Sequence, residues 1–302
     1  MGVAMNSTPT DRQPPDIDLD PAGITARSGS NFLAGFVCLD ARRREAMTAI
    51  YAFCRVVDDA VDDSPDRDIA ATRLAYWSGE LEAAALGVAE APVGVAVQKA
   101  MATFGVRVEP LRELVAGCAM DLDLECPADE AGLELYCYRV ASCVGLTCLP
   151  ILGADSEGGR RYAVALGQAL QLTNVLRDLR GDAEIGRCYV PATWLQDFDL
   201  DRESLLGTGD PAMYAPGGGV AGLCERFARR ARDRFDEARG ELLSLPRAER
   251  RGLVAARIMG AVYSDLLDRL EERGGNISAP RARVPKWQKL WAALAVWAGV
   301  RA

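Results

Sequence analysis

The chain has 302 residues, of which 49% are hydrophobic and 26% charged, a composition typical of a globular protein with a sizeable core. Its formal net charge of -8 argues against a nucleic-acid partner and favours small-molecule or protein partners. No histidine occurs in the sequence, which excludes Ser-His-Asp and Cys-His nucleophile systems, histidine-ligated zinc and the commonest general base.

The beginning of the chain and its cysteines indicate a cytoplasmic protein. Residues 1–24 are rich in Pro, Asp, Ser and Thr and predict a disordered leader. They lack the basic and apolar regions of a secretion signal, and no apolar run reaches the roughly 18 residues of a membrane span. Nine cysteines lie mostly within apolar runs and form no CxxC pair, so we expect reduced thiols in the core.

Apolar residues recur at helical spacing along the rest of the chain, and strand alternation is essentially absent. Asp40 is a predicted N-cap, and Pro65 with Asp66 interrupts the helical pattern. Three prolines and a glycine triplet in 184–220 predict a long irregular connection with at most a short helix. One all-α domain over 25–302 follows from these patterns. The predicted helices cover 40–63, 67–87, 92–105, 108–124, 130–152, 158–183, 221–244, 247–273 and 286–300.

The strongest chemical signal lies in residues 51–63. If this segment is helical, four of its polar side chains share one face: Tyr51, Arg55, Asp58 and Asp62. The alternative interpretation is a solvated acidic helix end. Carboxylates at a helix C-terminus oppose the helix dipole and repel one another, so this arrangement costs stability unless a cation compensates.

Residues 171–182 repeat this arrangement, with Asp178 and Asp182 on one face and Gln171 and Asn174 nearby. A single DxxxD is common and is usually solvated. Two copies on largely apolar helices favour a divalent cation, because unpaired carboxylates are costly to bury. Carboxylates without histidine or thiolate ligands suit magnesium, which prefers a few carboxylates, water and phosphate oxygens. The sequence therefore predicts a diphosphate substrate.

Such a substrate needs cations for its diphosphate and a dry apolar cavity for the carbocation left behind. Guanidinium groups suit phosphate oxygens, and aromatic faces shield a cation. For any one arginine or aromatic residue, an ordinary surface or core position is the alternative. The candidate diphosphate clamps are Arg55, Arg177, Arg187 and Arg283, and the candidate cavity residues are Phe32, Tyr51, Tyr136 and Tyr263.

Two further patterns are interpreted as structural. Residues 217–222 fit the spacing GxGxxG, but Pro216 precedes them where a dinucleotide-binding loop requires a strand, so a linker is predicted. Asp121 lies in an acidic alternation that lacks the glycine and downstream glutamate of a calcium loop. We expect it to end a helix near the site.

Three ordered segments resemble the signatures of the squalene/phytoene synthase family. Residues 51–62 are similar to its first aspartate-rich signature, and 171–182 continuing into 186–191 are similar to its second. Residues 135–145 resemble its central helix, where Tyr136 matches a residue with a catalytic role. The resemblance implies an all-α isoprenoid synthase bundle with a central active-site cavity. In it, the two aspartate helices face each other and bind magnesium ions and two prenyl diphosphates.

Within the family, residues 256–263, 266–274 and 286–294 most resemble the bacterial presqualene diphosphate synthases of hopanoid biosynthesis. This implies head-to-head condensation of two farnesyl diphosphates to presqualene diphosphate. The alternatives are a phytoene synthase acting on two geranylgeranyl diphosphates, a single-substrate terpene cyclase, and a non-catalytic helical member acting as a complex partner.

The resemblance also implies roles for individual residues. Tyr51, Tyr136 and Arg55 act in catalysis, the tyrosines by positioning the first allylic cation and assisting proton removal. The metal ligands are Asp58, Asp62, Asn174, Asp178 and Asp182. The substrate-binding residues are Phe32, Arg55, Gln171, Arg177, Arg187, Tyr189, Tyr263 and Arg283.

The end of the chain predicts a short amphipathic helix. Its apolar positions are Trp287, Leu290, Trp291, Leu294 and Trp297, with Lys286 and Lys289 nearby. We expect contact with the inner face of the membrane, with core packing or a dimer contact as alternatives. Because the sequence has no nicotinamide fingerprint, a separate downstream reductase is expected.

Overall fold

The computed structural model describes residues 19–28, 39–123, 126–208 and 210–299. In these ranges the chain is helical and contains no β-strand, so the all-α class is confirmed. The predicted domain over 25–302 divides into two compact units, of which the first ends at Asp123 and the second comprises the residues that follow.

The described part of the first unit consists of α-helices. They are α1 (Pro21–Ser28), α2 (Ala41–Asp62), α3 (Arg67–Leu86), α4 (Pro92–Phe104) and α5 (Glu109–Met120). Asp40 caps α2 by accepting the N–H of Arg43, and Asp66 caps α3 by accepting the N–H of Ile69, so both predicted boundaries are confirmed. The α2 helix packs against α3, α4 and α5 and buries Phe53 completely.

The second unit is built around two long helices, α8 (Glu157–Glu184) and α11 (Gly219–Ser244), which pack against each other. The α8 helix also contacts α7 and α13. The other helices are α6 (Glu130–Cys137), α7 (Cys143–Leu152), α9 (Ala192–Asp197), α10 (Pro211–Tyr214), α12 (Arg247–Gly252), α13 (Val254–Glu271) and α14 (Lys286–Trp297).

A π-helical turn, Tyr138–Ser142, separates α6 from α7 within the single helix predicted over 130–152. The Ser142 hydroxyl donates a hydrogen bond to the Val164 carbonyl oxygen on α8 at 2.9 Å. Nearby on α8, a Cβ atom at Gly167 would lie 2.5 Å from Ser142 Cα, so the close approach requires glycine. Turns of this kind occur frequently at functional sites, and this one begins two residues after Tyr136.

The connection over 184–220 contains more structure than predicted. Besides α9 and α10 it contains a 3-10 turn at Glu203–Leu206. Trp194 and Leu205 are buried, with only 2% and 1% of their surface exposed. Burial of large apolar side chains fixes a segment whose local sequence carries no helical period. Gly219 begins α11, so the glycines at 219 and 222 lie in its first turn and not in the predicted linker.

Three other expectations concern the beginning of the chain, a membrane span and the thiols. Of the predicted leader, residues 1–18 lie outside the described ranges, and residues 21–24 belong to α1. The stretch Glu130–Leu152 has the length and apolar composition of a membrane span, but 56% of its most apolar window is buried in the protein, as in a core helix. The eight cysteines in the described ranges are all free thiols.

Candidate functional site

In the first unit, Arg55 on α2 binds carboxylates of its own helix. Its Nε donates to Asp59 Oδ2 at 2.9 Å, and its Nη1 donates to Asp58 Oδ2 at 3.4 Å. The Asp59 side chain is 15% exposed and that of Asp58 is 50% exposed. The predicted diphosphate clamp is therefore held among the carboxylates of the first motif, four residues after Tyr51.

Asp58 ionises with difficulty. Loss of hydration and then repulsion from Asp62 raise the pKa of Asp58 to about 7, and the charges of Asp59 and Asp121 add to this effect while Arg55 opposes it. Half of the Asp58 side chain remains exposed to solvent, so water still reaches this carboxylate. Asp121 follows the last residue of α5, so the prediction that it ends a helix is confirmed. A cation at this position would relieve the repulsion.

In the second unit, Asp178 on α8 is bound by two arginines. Arg281 donates from Nε to Oδ1 and from Nη2 to Oδ2, both at 2.7 Å. Arg177 donates to Oδ1 at 2.9 Å and also bonds Oδ2. Burial opposes ionisation of this carboxylate, but the hydrogen bonds from Arg177 and Arg281 outweigh burial and lower the pKa of Asp178.

Three other predicted residues, Gln171, Asn174 and Tyr263, lie on α8 and α13. Arg177 is hydrogen-bonded to the side chain of Tyr263 on α13. Asn174 donates from Nδ2 to Gln171 Oε1 at 3.2 Å. Asn174 Oδ1 is buried and has no hydrogen-bond partner among the residues that the structure describes. A buried oxygen without a donor is costly, and a bound hard cation would satisfy it.

The end of α8 brings the second motif together with Tyr136. Gly186 adopts a φ of +80°, and the N–H of Arg187 donates to the Asp182 carbonyl oxygen at 2.8 Å. This left-handed turn terminates the helix and reverses the chain. The ring of Tyr189 then stacks on that of Tyr136, with centroids 4.6 Å apart and an interplanar angle of 21°. The two predicted tyrosines thus form one aromatic surface.

Arg281, which binds Asp178, is not among the predicted site residues, whereas its neighbour Arg283 stays a predicted diphosphate clamp. Only 3% of Ala282 and 6% of Val284 is exposed to solvent, whereas Arg281 and Arg283 are exposed residues. The alternation in the sequence indicates that both arginines point away from the core, but it contains no signal for which one reaches Asp178. Of the other predicted site residues, Phe32 lies outside the described ranges.

The residues present fit magnesium better than a metal enclosed by protein ligands. In the described ranges, no group of three or more Cys, Asp or Glu side chains is arranged to hold a metal ion. Magnesium usually binds one or two carboxylates and completes its shell with water and phosphate oxygens. Asp58 with Asp62 on α2, and Asp178 with Asn174 on α8, are partial ligand sets of that kind.

Comparison with known proteins identifies the family. Residues 25–288 match the family model for squalene/phytoene synthase. The chain belongs to this family. A presqualene diphosphate synthase from Rhodopseudomonas palustris is 37% identical over 257 residues, which cover 85% of this chain and 88% of that protein. A 15-cis-phytoene synthase from Synechococcus elongatus is 32% identical over 280 residues, 88% of each chain.

Solved structures of family members share the fold. The squalene synthase HpnC from Alicyclobacillus acidocaldarius is 28% identical, with a TM-score of 0.72 over 85% of this chain and 93% of that one. A dehydrosqualene synthase superposes with a TM-score of 0.78 over 93% and 94%, and its 24% identity shows the fold alone. The chain is therefore an enzyme of the prenyltransferase type with an all-α isoprenoid synthase fold, and the predicted family is confirmed.

Proposed function

We propose that this enzyme condenses two farnesyl diphosphates head to head into presqualene diphosphate, in a pathway to squalene and hopanoids. The observation that carries this choice of substrate is the degree of identity. Two presqualene diphosphate synthases are 37% and 34% identical to the chain, whereas two 15-cis-phytoene synthases are 32% identical over a similar share of it.

Magnesium is the proposed cofactor. Asp58 and Asp62 on α2 would bind magnesium at the first motif, and Asp178, Asp182 and Asn174 on α8 would bind it at the second. Bound magnesium neutralises the charge that develops on a departing diphosphate. Two observations support this assignment: the repulsion at Asp58, and the buried Asn174 oxygen that has no hydrogen-bond partner within the described part of the chain. A bound hard cation would relieve both.

Arginines near these carboxylates would bind the diphosphate groups. Arg55 and Arg177 already lie against motif carboxylates, and a guanidinium offers paired donors that match phosphate oxygens. Arg187 and Arg283 are proposed as further clamps, and Gln171 as a substrate contact beside Asn174.

In the proposed reaction, one substrate loses diphosphate to give an allylic cation, and the double bond of the second substrate attacks it. Loss of a proton closes the cyclopropane ring, so the products are presqualene diphosphate, one diphosphate and one proton. The stacked rings of Tyr136 and Tyr189 offer a surface that stabilises a cation. Tyr51 is proposed as a further catalytic residue, and Phe32 and Tyr263 as further substrate-binding residues.

The proton acceptor is proposed to be an oxygen base, since the sequence contains no histidine. A tyrosine hydroxyl, from Tyr51 or Tyr136, or the released diphosphate would serve. Reduction of the product to squalene is assigned to a separate enzyme, because the sequence has no nicotinamide-binding fingerprint. Adding NADPH to the purified protein should therefore yield no squalene.

The test is incubation of the purified chain with farnesyl or geranylgeranyl diphosphate, each with magnesium or with EDTA, followed by mass spectrometry of the products. We expect presqualene diphosphate from farnesyl diphosphate only, and none with EDTA. Turnover of the longer substrate alone would identify a phytoene synthase, which the 32% identity to the Synechococcus elongatus enzyme makes the second candidate. A cyclic product from one farnesyl diphosphate would indicate a terpene cyclase.

A further inference from the structure

The α14 helix presents a large exposed apolar face. Five of the eleven large hydrophobic residues exposed in the described chain lie on this 12-residue helix, with exposures from 51% to 75%. We call them the tryptophan face: Trp287, Leu290, Trp291, Leu294 and Trp297. Single exposed apolar residues are ordinary, but a contiguous group of this size marks an interaction surface.

The helix is anchored through its opposite side. Ala292 and Val296 are buried, with 0% and 1% of their surface exposed, and they pack in a cluster with side chains of α13. Arg269 on α13 donates to Gln288 Oε1 at 2.7 Å. A surface helix usually buries its large apolar residues and exposes polar or charged ones. In α14 the large apolar residues are exposed, so the tryptophan face is not what holds the helix to the protein.

The charge of the surrounding segment selects among possible partners. Residues 273–302 contain six arginines and lysines, of which Arg281 is paired with Asp178, and no aspartate or glutamate, although the whole chain has a net charge of -8. A basic segment is attracted by anionic lipid headgroups. A second copy of this chain would bring the same basic segment against the first, and the two would repel. Charge complementarity therefore favours an anionic membrane surface.

The side-chain types point to the same partner. Three of the five tryptophans of the chain lie on the tryptophan face, and tryptophan is enriched where a bilayer meets water. A helix with a broad apolar face and basic residues lies in the plane of that interface. We propose that α14 docks the protein on anionic membranes by inserting the tryptophan face among the headgroups. The proposal does not rest on the proposed reaction.

Flotation of the full-length protein with lipid vesicles tests the proposal. We expect capture by vesicles of phosphatidylethanolamine with phosphatidylglycerol, weaker capture by phosphatidylcholine alone, and further weakening at high salt. The variant Trp291→Glu/Leu294→Glu should reduce partitioning by roughly tenfold or more. Leu243→Glu on α11 is the matched control, since Leu243 and Leu294 are 56% and 51% exposed. This control should float like the wild type.

Tryptophan fluorescence gives an independent readout. Trp77 and Trp194 are buried, with 0% and 2% of their surface exposed. A change in tryptophan emission on adding vesicles would therefore come from the exposed tryptophans of α14. We expect a blue shift of the emission with phosphatidylglycerol vesicles. Because the substituted positions are exposed, we expect the variants to fold like the wild type. Circular dichroism melting checks this.

Two results would overturn the proposal: wild-type protein that stays with the soluble fraction, or a double glutamate variant that floats equally well. Sedimentation velocity identifies the competing occupant. If the wild type were a dimer that the double glutamate variant converts to monomers, without capture by vesicles, the tryptophan face would be a contact between two copies. Neither assay requires turnover, so failure here is distinguishable from failure of the proposed function.

Discussion

The two aspartate motifs have the same DxxxD spacing and opposite electrostatic surroundings. On α2, loss of hydration and then repulsion from Asp62 raise the pKa of Asp58 to about 7. On α8, Asp178 is bound by Arg177 and Arg281, and its pKa is lowered. A cation competes mainly with a proton at Asp58, whereas at Asp178 it competes with an arginine. Identical spacing in sequence therefore does not determine the charge state of a motif, because burial and the charges beside each carboxylate decide it, some from within the motif and some, such as Arg281, from elsewhere in the chain.

The largest expected effect tests whether both motifs serve the reaction despite this contrast. Asp58→Asn/Asp62→Asn and Asp178→Asn/Asp182→Asn should each lower kcat/KM with farnesyl diphosphate on the order of a thousandfold, because each removes charge that supports diphosphate departure. Product formation with magnesium measures this. Asp63→Asn, next to the first motif, is the matched control and should stay within a few fold of wild type. A loss below tenfold in either pair would show that motif to be dispensable.

A substitution in the second motif should destabilise the protein. Asp178→Asn leaves Arg177, which is only 16% exposed, without its ionic partner, and should lower the free energy of unfolding by about 2 kcal/mol at pH 7. Because the pKa of Asp178 is lowered, its stabilising contribution is present above the ordinary aspartate pKa and is lost on acidification. Urea unfolding at pH 7 and at acidic pH measures both effects. Unchanged stability would mean that the arginine contacts contribute nothing.

The equivalent substitution in the first motif, Asp58→Asn, should have the opposite effect on the free energy of unfolding. The penalty for charging Asp58 in the folded state grows as the pH rises from 3.8 to about 7. In EDTA at pH 8, Asp58→Asn should therefore raise the free energy of unfolding by about 1 kcal/mol, a value reduced for solvent screening at a half-exposed side chain. The gain should disappear as the pH approaches 4. Destabilisation at pH 8 would contradict repulsion at this motif.

The smallest expected effect concerns two cysteines whose surroundings shift the thiol pKa in opposite directions. Burial and then the carboxylates of the first motif raise the pKa of Cys118. A hydrogen bond from Cys188, aided by Arg202, lowers the pKa of Cys126 to about 7. Alkylation of Cys126 by iodoacetamide should rise with a midpoint near pH 7, while Cys118 stays unreactive, as peptide mass spectrometry would show. Arg202→Gln should move the midpoint slightly upward, and Arg229→Gln at an exposed position should not. Equal reactivity of the two thiols would contradict the contrast.

Much of the fold follows from local sequence. Asp40 and Asp66 begin helices because their side chains satisfy backbone N–H groups one turn ahead, a contact that depends only on neighbouring residues. Helical periodicity likewise predicts α2 and α8. The π-helical turn at Tyr138–Ser142 was not predicted, because it depends on the contact of Ser142 with Val164 and Gly167 on α8. Helix periodicity contains no information about that contact.

Local sequence also accounts for part of the arrangement at the two motifs. The aspartates and Asn174 could be found because the motifs place them on helix faces. Arg281 could not, since it reaches Asp178 from a segment 103 positions away in sequence, and the neighbouring Arg283 shares its alternation pattern. The stacking of Tyr189 on Tyr136 depends on the left-handed turn at Gly186, which a glycine after a helix permits but does not specify. The facing of the two motifs across one cavity stays a prediction.

The most direct test of the central claim, that both motifs bind metal ions together with diphosphate, is an equilibrium titration of Mn²⁺ in the presence of inorganic pyrophosphate. Electron paramagnetic resonance of the free ion reports how much is bound. We predict that the wild type binds Mn²⁺ in a pyrophosphate-dependent manner, that Asp58→Asn/Asp62→Asn and Asp178→Asn/Asp182→Asn each bind less, and that Asp63→Asn binds normally. Undiminished binding by both pair variants would contradict the claim.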